Sequence, residues 1–503
     1  MPAVHGGSLT SLDELLAIGR VVAGRDPTVA VIANSPLAAA MPVWLAGTAA
    51  QQRAVATAIL DGQHVALGLT EVDHGADLLA TEVTGLRTAY GFVVHGTKWL
   101  INNVRLARYV CLLVREPARD GMRSLTLLLL DTDRLPASSY EYLPRIRTHG
   151  IRGADIAGIR FHGAVVPETA CIGKPGRGLE LTAQSLLVTR TLVPGLSIGG
   201  LDTALRCTVD FLQNRALYGS QATDIPLVQD ELAATFLDLS VAAVVANCCV
   251  QTLQTLPGLA AVASAVAKYL VPHLATARMR TLSTTLGARY YLCDGHWSGI
   301  FEKLLRDVRL FALFDGSEPV VLSALAAQAS CLTQPTDPRR ADELFNGNRP
   351  GPGALGIQPF DIAADDDPVT GGLAEVCCHL ERHSAGYADL HAAVGLLRAR
   401  GADLIERARF PVDPRSALGQ QLGESYAQVF AAVCLSRSWI NSAPGDEDPS
   451  WLAAGLVTLL QPGSRMPRPT SQTLFAELTR QCSDRVVFLG CFADRREVHD
   501  VAR

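Results

Sequence analysis

From Leu239 to Ala267 the chain carries no charged residue, and a run that long has to be buried in protein or in lipid. It is interrupted by Asn247, Gln251, Thr252, Gln254 and Thr255, and then by the breaker Leu256-Pro257-Gly258. Those polar side chains and that breaker predict two buried helices joined by a turn rather than one membrane span. The chain can supply the core that such helices need. It has 503 residues, 48% hydrophobic and 18% charged, which excludes wholesale disorder and leaves room for two to four domains. The N-terminal MPAVHGGSLTSLDELLAIGR has acidic residues where a signal peptide needs an apolar stretch, so a soluble, non-secreted protein is expected.

The formal net charge of −5 and pI near 6.2 argue against a general nucleic-acid binder, which shows a basic face or tail. None of the twelve cysteines forms a C-x-x-C pair. Free thiols in a reducing cytoplasm are the expectation. His379 and His383 flank Glu381 at helical spacing, but the pattern is not H-E-x-x-H and offers no third ligand, so no metal site is expected.

Texture divides the chain. Residues 1–61 read as helical, with a capping box at Ser11 and Glu14 and breaks at Pro36 and Pro42. Residues 62–166 hold short strand candidates at 64–70, 109–114, 124–130 and 158–161, separated by Gly, Pro and Asp turns, which predicts a compact β domain. Residues 167–340 return to long helical patterns, with Pro194 expected to kink the helix that contains it. A Pro/Gly/Asp-rich linker is expected over 341–372, and a helical extension over 373–503 with loops at 442–450 and 462–470.

Several segments then resemble one family. Thr70-Glu71-Val72-Asp73-His74-Gly75-Ala76-Asp77 resembles the T-E-P-x-x-G-S-D segment of acyl-CoA dehydrogenases. Upstream, Gly47-Thr48-Ala49-Ala50-Gln51, Leu60 and Gly62 resemble the lead-in G-T-x-x-Q…L…G. Downstream, Gly96-Thr97-Lys98-Trp99-Leu100-Ile101-Asn102-Asn103 is similar to G-x-K-x-W-I-T-N, and Gly153 to Pro167 with Gly173, Gly176 and Gly178 is similar to the exit from the family's β domain. Arg190, Gly199, Ala204, Leu205, Arg215, Tyr218 and Gly219 keep the offsets of R…G…AL…R-x-x-F-G. Arg306-Asp307-Val308-Arg309 and Phe314-Asp315-Gly316-Ser317 stand in the order of R-D-x-R and Y-E-G-T. The resemblance covers about residues 26 to 333. It implies an α+β fold with N-terminal helices, here shortened, a middle β-barrel-like domain and a C-terminal four-helix bundle, followed here by an extra helical domain.

The resemblance also implies chemistry: an FAD flavoenzyme, an oxidoreductase that dehydrogenates an acyl-CoA or acyl-carrier-protein thioester across its α,β-bond. A carboxylate takes the α-proton, and FAD supplies the electron sink that side chains lack. Asp315 stands where most members carry that base as glutamate, one methylene longer. The position before Arg190, where some members carry it, is Thr189. Glu318 is a neighbouring carboxylate, with Pro319 suggesting a turn. The cofactor-binding positions implied are Thr70, Ile101, Asn102, Arg215, Tyr218, Gln229, Thr284, Gly287 and Ser317, with Arg190 toward the substrate. Arg215 corresponds to the arginine that reaches the FAD pyrophosphate of a neighbouring subunit, so a homodimer or homotetramer is expected. An electron-acceptor flavoprotein or oxygen would re-oxidise it.

Departures from the pattern point to a specialised, biosynthetic member. Ala76 replaces a serine, Leu100 a tryptophan and Asn102 a threonine, and Thr284 to Tyr291 (TTLGARYY) replaces Q-x-x-G-G-x-G-Y. Two other functions stay open on the sequence: a flavin monooxygenase on the same fold, and a flavin-free scaffold or partner subunit. Asp315 argues against the first. Ala76, Ala288 and Tyr290 motivate the second.

Overall fold

The structure, a computed structural model, describes residues 2–345, 360–442 and 448–483. These fall into two compact units. The first contains residues 2–15, 26–189 and 360–362, and the second contains 16–25, 190–345, 363–442 and 448–483. The element order is helices, a sheet, long bundle helices and a further helical block, the α+β plan expected.

Helix α1 (Leu12–Arg25), with residues 12–15 in the first unit and 16–25 in the second, begins at the anticipated capping box. Glu14 N donates to Ser11 Oγ at 3.1 Å, and Ser11 N to the Glu14 carboxylate at 3.4 Å. Helix α2 (Pro27–Ala39) does not break at Pro36 as expected but runs through it. Proline has no N–H for the Ile32 carbonyl one turn back. Asn103 Nδ2 donates to that carbonyl instead, at 3.2 Å, so the missing helical bond is replaced from outside. Helices α3 (Met41–Ala46) and α4 (Ala49–Leu60) follow.

Seven strands make one mixed sheet: β1 (His64–Gly68), β2 (Thr84–Thr88), β3 (Gly91–Asn102), β4 (Ala107–Arg115), β5 (Leu125–Asp131), β6 (Tyr140–Tyr142) and β7 (Ile156–Val166). Their order is β1-β4-β2-β3-β7-β6, with β5 also paired to β4. Strands β4 and β5 are mostly apolar on both faces and largely buried, as strands covered on both faces must be. Phe92, Val94, Leu112, Leu128, Ile159 and Phe161 lie in the core. The antiparallel β3–β7 ladder slips between Lys98 and Ile101, and the non-glycine Leu100 takes φ 54° there. A bulge of this kind re-aims the end of a strand.

In the second unit, α5 (Gly178–Gln213) contributes its part from Arg190 onward and stays helical past Pro194. A hairpin, β8 (Ala216–Leu217) and β9 (Ser220–Gln221), leads into α6 (Pro226–Thr255) and α7 (Ala260–Leu286). These are the two helices read from the charge-free run, joined by one 3-10 turn at Pro257–Leu259. Among the described residues, three stretches are by length and composition long and apolar enough to cross a membrane: Pro27–Ala46, Pro226–Thr255 and Pro257–Tyr291. The second and third bury 83% and 89% of their apolar window inside the chain.

Helices α8 (Ile300–Asp307) and α9 (Glu318–Ala327) complete the bundle region. Glu318 opens α9 with Pro319 at its second position, so the turn expected there is a helix start. Residues 346–359 of the expected linker lie outside the described residues, and its ends form the short helices α10 (Asp342–Phe345) and α11 (Pro368–Gly371). The extension comprises α12 (Leu373–His383), α13 (Ala388–Ala408), α14 (Ala417–Ser442), α15 (Ser450–Leu460) and α16 (Arg468–Ser483). It belongs to the same unit as the bundle. Gly423 of α14 lets its backbone reach α9, since a Cβ there would stand 2.4 Å from the Leu322 carbonyl oxygen. Arg468 of α16 donates to the Gln229 side chain of α6 at 2.6 Å.

Candidate functional site

Two motifs that were far apart in sequence meet in the first unit. Lys98 on β3 is fully buried and donates to Glu71 Oε1 at 2.7 Å and to the Leu69 carbonyl at 2.8 Å. Glu71 also accepts from the Glu82 and Val83 amides at 2.8 and 3.0 Å. Burial alone would push the Glu71 carboxyl up, and the bonds from Lys98 and the two amides outweigh it and hold it low. Burial pushes the Lys98 ammonium down to about 8 against the pull of Glu71. This pair locks the Thr70–Glu71 segment against β3, and the Trp99 amide donates to the Thr70 carbonyl at 2.9 Å.

Thr70 is thereby fixed beside the strand end that carries Ile101 and Asn102. Ile101 is buried, and Asn102 is half-buried opposite Ile156. Leu100, in its left-handed conformation, is 43% exposed. The lead-in motif does similar work. Thr48 and Gln51 form a capping box for α4, and Gln51 Nε2 donates to the Thr169 and Cys171 carbonyls, each at 3.0 Å, beyond the end of β7.

The second unit holds Asp315 in a tight turn. Asp315 takes φ 58° and Gly316 takes φ 117°. A Cβ on Gly316 would lie 3.1 Å from Arg190 Nη2, so the turn needs glycine both for its conformation and for the approach of the guanidinium. Arg190 Nε donates to the Asp315 carbonyl at 2.5 Å. Lys268, buried in α7, donates to the Phe311 carbonyl at 2.7 Å, with its ammonium 5.5 Å from the centre of the Phe314 ring. Burial lowers Arg190 below its usual value and Lys268 to about 8, and attraction to Asp315 offsets part of this in both. Each cation stands four residues before a proline, Pro194 and Pro272, which cannot close the helical bond to its carbonyl.

Lys268 was missed in the sequence, though a signal was present. It is the first charge after the uncharged run and is followed by Tyr269-Leu270-Val271-Pro272. A lone charge inside a buried helix has to meet a partner.

The remaining expected residues are spread over the second unit. Arg215 precedes the β8–β9 hairpin, with its guanidinium carbon 5.4 Å from the Phe211 ring centre, and Tyr218 at the hairpin tip is 98% exposed. The Gln229 side chain is engaged at both ends within the unit, donating to the Thr223 carbonyl at 2.8 Å and accepting from Arg468. Thr284 lies exposed on the last turns of α7, and Gly287 ends that helix at φ 63°. Ser317 is the N-cap residue of α9. His379 and His383 stack on an exposed helix face with ring centres 4.7 Å apart.

The residues present fit a flavin dinucleotide. Hydroxyl and amide donors (Thr70, Asn102) beside the exposed Leu100 suit a heteroaromatic ring rich in acceptors. The Arg215 guanidinium over the Phe211 ring suits a pyrophosphate.

Two family models match the chain: "Acyl-CoA dehydrogenase, middle domain" over residues 66–164 and "Acyl-CoA dehydrogenase, C-terminal domain" over residues 176–330. The human mitochondrial short-chain specific acyl-CoA dehydrogenase is 26% identical over 200 residues, covering 39% of this chain and 48% of that protein. The chain spans about half the length of the curated relatives it matches. Butyryl-CoA dehydrogenase from Megasphaera elsdenii is similar in structure with a TM-score of 0.60 at 20% identity, covering 64% of this chain and 84% of that one. The prolyl acyl carrier protein oxidase AnaB is similar with a TM-score of 0.59 at 18% identity, over the same shares. At these identities the two structures show a common fold.

Proposed function

Because this chain belongs to the acyl-CoA dehydrogenase family, we propose that it is an FAD-dependent acyl-thioester dehydrogenase that forms an α,β-double bond. The observation that carries the reading is the Asp315 turn, whose backbone is held by Arg190 at the Asp315 carbonyl and by the buried Lys268 at the Phe311 carbonyl, with both cations attracted to Asp315. Asp315 accepts the α-proton of the thioester. Arg190 and Lys268 both feel the attraction of Asp315, so two positive charges stand by the base. The same positive field stabilises the negative charge that develops on the substrate as its proton leaves.

Bound FAD would supply the acceptor for the β-hydrogen. Thr70, Ile101 and Asn102 would hold its ring, and Arg215, Tyr218, Thr284 and Gly287 would serve the FAD of a neighbouring copy in a homodimer or homotetramer. The acyl group arrives on CoA or on a carrier protein in a biosynthetic pathway of a reducing cytoplasm, where the described cysteines stay free thiols. Electrons leave to a flavoprotein acceptor or to oxygen.

Anaerobic titration of the purified protein with acyl-CoA and with acyl-carrier-protein thioesters tests this. Bleaching of the flavin absorbance without oxygen or added reductant is expected, and the thioester that bleaches it names the carrier. Flavin that reduces only with an external reductant would make the protein a monooxygenase, and a protein that takes up no FAD would make it a scaffold.

A further inference from the structure

We infer that Lys268 is a positioning residue for Asp315: with Arg190 it grips the Phe311–Gly316 turn at both ends and so sets where the carboxylate stands. The inference rests on the proposed role of Asp315 as the base and adds the device that aims it. Lys268 donates to the carbonyl at the start of the turn, Phe311, and Arg190 to the carbonyl near its end, Asp315. The two donors come from different helices, α7 and α5. Between them Phe314 lies over the ammonium, and the fully buried Phe311 ring packs edge-on against Phe314 with centres 6.1 Å apart. The turn is thus tied at its first residue by Lys268 and near its last by Arg190.

Stability does not explain a lysine here. A buried ammonium costs more than an apolar side chain of the same length, and the Phe311 carbonyl, the Phe314 ring and the attraction to Asp315 together leave its charged form disfavoured. The grip does explain it. Asp315 is one methylene shorter than the family's glutamate, and its left-handed backbone at φ 58° relaxes readily unless held. Proton transfer loses rate steeply with small displacements, so a short base needs a rigid turn. The charged groups facing the ammonium are Asp315 from the turn and Arg190 from α5. Farther along, His273 of α7 pairs with Glu318 of α9 at 3.5 Å, and Tyr269 is influenced by Glu424 of α14.

The test is Lys268→Met in the full-length, FAD-loaded protein, read by two measurements. In anaerobic stopped flow, the maximal rate of thioester-dependent flavin reduction should fall at least about tenfold, with the half-saturating thioester concentration within about twofold of wild type. In hydrogen exchange, amides of residues 311–317 should lose at least about tenfold protection while those of α6 do not. A rate within twofold of wild type, or unchanged protection at 311–317, overturns the inference.

If Lys268→Met does not fold, wild type from pH 6.5 to 9.5 replaces it. As pH rises through about 8 the ammonium becomes a neutral amine that still donates but without charge assistance, so the bond to Phe311 weakens and protection at 311–317 should fall; a flat profile overturns a charge-assisted grip. If no thioester reduces wild type, dehydrogenation fails as a function, and exchange at 311–317 still decides the role of Lys268.

Discussion

Replacing Lys98 by methionine removes the cation of the fully buried Glu71–Lys98 pair and leaves a carboxylate that is only 6% exposed. Breaking a buried pair by removing one partner costs about 3–5 kcal/mol, because the other charge is left uncompensated. Here Glu71 keeps its bonds from the Glu82 and Val83 amides, which places the loss at the lower end, about 3 kcal/mol. Methionine fills most of the lysine stem, so no large cavity adds to the cost.

The double variant Lys98→Met/Glu71→Gln removes both charges and should recover at least half of the loss, a coupling that only a direct interaction produces. Urea unfolding followed by pulse proteolysis, with cleavage sites in the β unit identified, measures both. Glu71 is held below its usual value in the folded state. Its contribution in wild type is therefore complete above that usual value and lost as pH falls through the lowered one. The gap between wild type and Lys98→Met should accordingly narrow in acid. A single variant within 1 kcal/mol of wild type, or a double variant no better than the single, would refute the account of this pair.

Two further outcomes concern the reaction. Asp315→Asn should retain FAD and lose thioester-dependent flavin reduction, since the amide cannot accept the α-proton; anaerobic stopped flow checks it, and reduction at the parental rate shows that another group is the base. Arg215→Ala should lower FAD retention on desalting and shift the assembly toward smaller species in analytical ultracentrifugation. A monomer that keeps full FAD would remove the neighbouring-copy role of Arg215.

Periodicity and charge revealed the elements whose residues are alike in kind. The charge-free run gave α6, the turn at Pro257 and α7, and the apolar strands β4 and β5 stood out because both faces are buried. Strand β3 did not stand out. His95, Lys98 and Asn102 interrupt its pattern, and they do so because Lys98 is buried with Glu71 and Asn102 stands at a bulged end. Pro36 misled for a similar reason, since the donor that rescues the helix, Asn103, lies 67 residues further along the chain. In the second unit Arg190 and Asp315 could be placed by register, whereas their contact depends on a turn with positive φ that no local pattern announces. Gln229 matched by register as well, and only the fold shows that Arg468, from the extension, occupies it.

The matched residues divide by what they touch. Gln51, Glu71 and Lys98 are buried and spend their hydrogen bonds inside the first unit, and Gly316 is required by its φ and by Arg190. The positions that depart from the pattern lie elsewhere: Ala76, Leu100 and Ala288 are exposed, and Asn102 and Tyr290 half-buried. Substitutions inside the buried set would cost the fold, whereas substitutions on the exposed set alter what the surface binds. The chain has kept the first set and rewritten part of the second. Asp315 belongs with neither group, because its backbone is held by Arg190 while its side chain is one methylene shorter than the pattern. On the proposed role of Asp315 as the base, a shortened carboxylate on a gripped turn would favour a substrate that presents its α-carbon nearer to the turn.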